Sequence, residues 1–141
     1  MRRPGVRPAA LLAVPAALAV LAGCTKPVPS VTIQSNGTSL RSEATQYVLD
    51  GQLRTNRDGA KVLTVRPGDV VNVSVDKPTK EAGWAVRVGD RSFPVIEDEF
   101  HFSFPVPEFA GTNEVALAVF QAPPQGGPAA GSWVFTLRQD T

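Results

Sequence analysis

Trp84-Ala85-Val86-Arg87-Val88-Gly89-Asp90-Arg91-Ser92-Phe93-Pro94-Val95-Ile96 alternates apolar and polar residues on either side of two turn formers. Gly89-Asp90 is a two-residue turn, and such a turn sets the register of the antiparallel strands that it joins. Counting outward, Val88 faces Arg91, Val86 faces Phe93 and Trp84 faces Val95. One face therefore holds Trp84, Val86, Phe93 and Val95, which are expected in the core. Pro94 falls opposite Ala85 on the other face. Lacking an N–H, it predicts that its strand lies at an edge or carries a bulge.

The same alternation extends in both directions. Upstream, residues 61–65 and 69–75 are β-branched runs separated by Pro67-Gly68. Pro presets φ at the first central position of a type II turn, and Gly accepts the positive φ at the second. Val71, Val73 and Val75 share a face, with Asn72 and Ser74 on the other. Further up, residues 31–35 alternate and Asn36-Gly37 follows as a turn. Downstream, Phe100, Phe102 and Phe104 alternate with Glu99, His101 and Ser103. Val115, Leu117 and Val119 then share a face, as do Trp133, Phe135 and Leu137. Residues 123–131 form a Pro/Gly/Ala-rich connection. No segment after Cys24 has a helical period. Short alternating strands with frequent turns predict an all-β, immunoglobulin-like antiparallel sandwich over residues 31–141.

The N-terminus has a different pattern. Arg2, Arg3 and Arg7 precede an apolar stretch at residues 9–21 that is broken by Pro15. This stretch falls short of the roughly 20 apolar residues that a spanning helix needs, and it suits a signal peptide. It ends in Leu21-Ala22-Gly23-Cys24, which resembles a bacterial lipobox. Small residues there let a signal peptidase approach the backbone, and the thiol takes a diacylglyceryl group. Residues 1–23 are thus expected to be a lipoprotein signal peptide, with Leu21, Ala22 and Gly23 recognised by the peptidase and Cys24 lipidated. Residues 24–30, containing Pro27 and Pro29, are expected to be a short semi-rigid tether. Cys24 is the only cysteine, so a free thiol in an oxidising compartment would be removed by the lipid. The expected location is the outer face of the cytoplasmic membrane.

Loss of the three arginines takes the net charge from +1 to −2 (1 − 3). There is no basic run or basic amphipathic stripe, which argues against nucleic-acid binding and against electrostatic docking onto anionic lipid. Catalytic signals are equally sparse. His101 is the only histidine and alternates with phenylalanines, so it is expected at the surface. There is no Gly-x-Ser-x-Gly elbow. Glu97-Asp98-Glu99 lies between two strand patterns, where neighbouring side chains diverge, and is expected to be a solvated turn. Pro67-Gly68-Asp69-Val70-Val71 has the look of a cupredoxin or bacterial immunoglobulin-like stretch, but blue copper needs two histidines and a thiolate. No catalytic residue, metal ligand or cofactor is therefore assigned. Asn36-Gly37-Thr38 matches a glycosylation acceptor and is read as a turn.

The layout resembles the actinobacterial lipoproteins grouped as Domain of Unknown Function 2771. The likeness rests on the lipobox, Thr45-Gln46-Tyr47, the strand pair around Pro67-Gly68, residues 115–121 followed by Ala122-Pro123-Pro124, and the closing run Ser132-Trp133-Val134-Phe135-Thr136-Leu137. Members often carry a cysteine after the Gln-Tyr pair and another shortly beyond; Val48, Gln52 and Leu53 stand in that stretch here. The resemblance implies location and fold and no activity. The expected function is that of a non-enzymatic envelope module, held to the membrane through the lipid on Cys24 and open to a protein partner. The alternatives are a small carrier of an apolar ligand, which needs an enclosed cavity, and an enzyme or metal-handling protein with an unrecognised site.

Overall fold

The computed structural model describes residues 28–123 and 129–141. In chain order the strands are β1 (Ser30–Ser35), β2 (Thr38–Glu43), β3 (Gln46–Leu49), β4 (Gln52–Thr55), β5 (Lys61–Val65) and β6 (Val70–Val75). Among the described residues a single short helix, α1 (Lys77–Ala82), follows. The remaining strands are β7 (Trp84–Val88), β8 (Arg91–Ser92), β9 (His101–Pro105), β10 (Glu114–Gln121) and β11 (Gly131–Gln139). They form two packed sheets, ordered β2-β1-β6-β9 and β4-β3-β11-β10-β7-β8, with β5 also paired to β11. The fold is an all-β, immunoglobulin-like sandwich. Its pairings are antiparallel except β5 with β11, which run parallel with Leu63 opposite Leu137. β3 and β5 share one edge of β11: β3 takes its first two residues and β5 the stretch from Phe135 to Gln139.

The turns follow their residues. Asn36 and Gly37 both have positive φ (48° and 79°) and close β1 onto β2 with Ser35 opposite Thr38. Gly68 has φ 87°, and the Asp69 N–H donates to the Arg66 carbonyl at 3.0 Å, as a type II turn requires. Inward positions alternate as the sheet pleat dictates. Val71 and Val73, Leu117 and Val119, and Trp133, Phe135 and Leu137 are all fully buried and meet in one core with Val31, Ile33 and Trp84. Each such side chain contributes about 1.5–3 kcal/mol through removal from water.

The hairpin register holds for Val88 opposite Arg91, and the Phe93 N–H donates to the Val86 carbonyl at 2.9 Å. It then slips. Trp84 pairs with Ile96 and not with Val95, exchanging hydrogen bonds of 2.7 and 3.0 Å. Pro94 and Val95 together therefore oppose Ala85, which is a one-residue bulge at the edge of the sheet. The bulge turns Val95 out to 59% exposure, against its expected place in the core. Phe100 is likewise 40% exposed, because β9 begins only at His101; the burial expected of the three phenylalanines is complete only at Phe104.

Helix α1 also departs from the sequence expectation. Its six residues are too few to establish a period, but Asp76 precedes it, Pro78 lies in its first turn, and Gly83 ends it with φ 84°. Those are ordinary start and stop signals. The stretch expected as a tether is part of the domain where it is described. Pro29 and Ser30 are buried and Val28 is half-buried. The Trp133 indole donates to the Pro29 carbonyl at 3.0 Å, and the Ser30 N–H donates to Asp76 Oδ2 at 2.8 Å.

The sandwich has two distinct ends. At one end lie the start of β1, the β3–β4 hairpin, α1, the acidic turn and the start of β11. The turns at Asn36-Gly37, Pro67-Gly68 and Gly89-Asp90 lie at the other, with the C-terminus.

Candidate functional site

Leu21, Ala22, Gly23 and Cys24, the expected peptidase and lipidation residues, lie outside the described residues. The other residues weighed from sequence are described. His101 is exposed on β9, and its Nδ1 is 2.9 Å from the Ser74 hydroxyl on the neighbouring strand. Glu97, Asp98 and Glu99 are exposed and form a turn that is pinned at two points. The Trp84 indole donates to the Glu99 carbonyl at 2.9 Å, and Lys80 Nζ is 2.9 Å from Asp98 Oδ1. That hydrogen bond holds the Lys80 amine above the ordinary lysine value of 10.5, with partial desolvation opposing it. Lys80 also lies over the Phe100 ring, 4.8 Å from its centre. Among the described residues no group of three or more His, Cys, Asp or Glu is placed to hold a metal ion.

The end where the chain enters the sandwich is the most distinctive surface. β2 ends at Glu43 opposite Ser30. Ala44 and Thr45 then carry the chain across to the other sheet, where the Thr45 N–H donates to the Ser132 carbonyl at 2.8 Å. β3 pairs with only the first two residues of β11 and runs on past them. Asp50 and Gly51, with φ 51° and 74°, turn it back into β4. An Asp-Gly pair between strands favours such a tight turn, and it was a signal open to sequence reading. The Val48 N–H still donates to the Ala130 carbonyl just ahead of β11 at 2.9 Å, and the tip beyond it extends past the ends of β11, β10 and β7.

Its inner face is tied down. Tyr47 is buried against Trp133, with ring centres 6.3 Å apart, and Gly131 lies so close that a Cβ there would sit 2.6 Å from Tyr47 Cδ2. The Tyr47 hydroxyl accepts from Gln121 Nε2 at 3.5 Å, and Gln121 Oε1 accepts from the Thr79 hydroxyl at 3.0 Å. This buried polar chain joins β3, β10 and α1 beneath the surface. Gln121 continues the inward phase of Leu117 and Val119, and that alternation is the sequence signal for its burial.

The outer face of the hairpin is open. Val48 and Leu53 are direct cross-strand partners, 45% and 63% exposed. With Phe120, Ala129 and Ala130 they line a shallow apolar cleft of about 220 Å³. A second apolar cleft of about 220 Å³ adjoins it across Phe120 and includes Val95. The larger clefts, about 430 and 490 Å³, are lined mainly by polar and charged groups such as Arg41, Glu43 and Lys61, or Arg66, Asp69 and Asp140. In the second of these, Asp69 Oδ2 accepts from the Arg66 N–H at 2.8 Å and from Asn36 Nδ2 at 2.7 Å, while Arg66 pairs with Asp140. Those groups serve one another in closing turns. An exposed apolar pair on a hairpin is suited to surface contact.

No family model, curated protein or solved structure matches the chain.

Proposed function

We propose that the protein is a bacterial lipoprotein, anchored by a diacylglyceryl group on Cys24 at the outer face of the cytoplasmic membrane. Its sandwich acts there as a non-enzymatic interaction module. The observation that carries the anchor is Leu21-Ala22-Gly23-Cys24 directly behind a basic and then apolar leader. Two acyl chains on one residue meet the requirement for stable anchoring. The likeness to the Domain of Unknown Function 2771 lipoproteins belongs to the same reading; its Thr45-Gln46-Tyr47 and Ser132–Leu137 motifs lie side by side where β3 meets β11.

The module part of the reading is supported by what the domain offers: a core filled by Trp, Phe and Val side chains, one exposed histidine bonded to a serine, and four of its exposed large apolar residues (Val48, Leu53, Val95 and Phe100) at the end where the chain enters. Expressed in a bacterial host, Cys24→Ser should leave an uncleaved or soluble product and should lose incorporation of a fatty-acid analogue. A mutant that still labels and sediments overturns the anchor.

A further inference from the structure

We propose that the β3–β4 hairpin, through Val48 and Leu53, rests on the phospholipid surface to which the chain is anchored. This rests on the lipoprotein reading and deepens it by assigning the face of the sandwich that meets the bilayer.

The first argument is chain length. Four Cα steps separate Cys24 from Val28, and each spans at most about 3.6 Å, so they reach no more than about 14 Å. Beyond Val28 there is no slack, because Pro29 and Ser30 are buried and bonded to Trp133 and Asp76. The headgroup layer on one side of a bilayer is itself about 5–8 Å deep. A lipid on Cys24 therefore keeps this end of the sandwich at the membrane surface.

The second argument is which corner of that end descends. The seven-stranded sheet places β3 and β4 at one edge and β7 and β8 at the other. Near β7, Lys77 pairs with Glu81 and Lys80 with Asp98, and the exposed Glu97 and Glu99 leave these six residues at 2 − 4 = −2, so that the exposed Val95 and Phe100 sit beside uncompensated negative charge. An anionic bilayer repels that corner. On the hairpin side, Arg54 and Arg57 balance Asp50 and Asp58. That corner carries the exposed Val48 and Leu53 and the cleft continuing to Phe120. Apolar side chains at a neutral, projecting corner gain by leaving water for the boundary between headgroups and acyl chains.

Once Cys24 is lipidated, Gln52→Cys provides one free thiol beside Leu53, and Asp90→Cys provides one at the opposite end. Each full-length, lipidated variant, labelled with an environment-sensitive fluorophore, is reconstituted into vesicles of phosphatidylethanolamine and phosphatidylglycerol. Flotation is read first, then quenching by lipids carrying a nitroxide near the headgroup. The label at position 52 should be blue-shifted and quenched several-fold more than that at position 90, and Val48→Asp with Leu53→Asp should abolish the difference. Protein that floats with equal quenching at both positions overturns the docking and leaves the anchor standing. Protein that does not float overturns both. Shielding of position 52 that grows with protein density, without quenching by lipid, means that a second copy covers the hairpin and also overturns the proposal.

Discussion

Trp133 and Trp84 are both fully buried, and each indole N–H is spent on a backbone carbonyl far along the chain, Pro29 for one and Glu99 for the other. Each side chain fills the core and also ties down a segment with no sheet partner of its own. Trp133 holds the start of the domain and Trp84 the acidic turn. Truncation to Ala should cost about 3–5 kcal/mol at either position, a large share of a small domain's stability. Denaturant melts of the two variants check this. A change below about 1 kcal/mol at either would mean that its pocket collapses around the smaller side chain. Alternation alone placed both residues inward; the carbonyls they reach could not be found that way, because Pro29 is remote in sequence and meets Trp133 only across the packed sheets.

Among the elements, the β7–β8 hairpin shows most clearly where local reasoning ends. Its turn and first pairs obey two-residue counting, because turn geometry sets the register of the residues next to it. Pro94 then interrupts the ladder, and the bulge shifts every later residue by one place. Phe93 keeps its inward place, with its ring 5.1 Å from Phe102 and 5.7 Å from Phe104, while Val95 faces water. Val95→Lys should therefore change stability by less than about 0.5 kcal/mol, whereas Phe93→Ala should cost more than about 1 kcal/mol. Thermal melts of the two variants separate the bulged register from the unbroken one, in which both would be strongly destabilising. The missing N–H of Pro94 made a bulge foreseeable; which neighbour it expelled was settled by Ile96, whose two hydrogen bonds to Trp84 need the shifted pairing.

For the whole molecule, the polarity of the two ends matters more than any single strand. At the end where the chain enters, Lys80 links α1 to the acidic turn through Asp98 and stacks on Phe100. Its proton is held more tightly in the folded state than in the unfolded chain. The pair's contribution is therefore fully present below the unfolded value of 10.5 and is lost as pH rises through the raised folded value. The stability difference between the native protein and Lys80→Met should be constant up to about 10 and shrink above it. Denaturant midpoints for the two across that range check this, and a difference that grows with alkalinity would contradict it. Lys80 and Asp98 are separated by a helix end and a hairpin, so only the closing of β6, α1 and β7 onto one end brings them together.

The strand pattern, the turns at Asn36-Gly37, Pro67-Gly68 and Gly89-Asp90, and the inward faces of β6, β10 and β11 are properties of the sequence alone. They depend on nearest-neighbour rules: a period of two for side chains in a pleated strand, and residue types that tolerate the dihedral angles of a tight turn. The expectation that the chain is lipidated at Cys24 is equally local, a matter of four adjacent residues behind an apolar run. Tertiary structure alone decided that β5 runs parallel to β11, that Gln121 links Tyr47 to Thr79 inside the molecule, and that Val48 and Leu53 project at the end where the chain enters. Each of these depends on which strands become neighbours. That choice is set by the packing of the whole core, to which no single stretch of the chain has access.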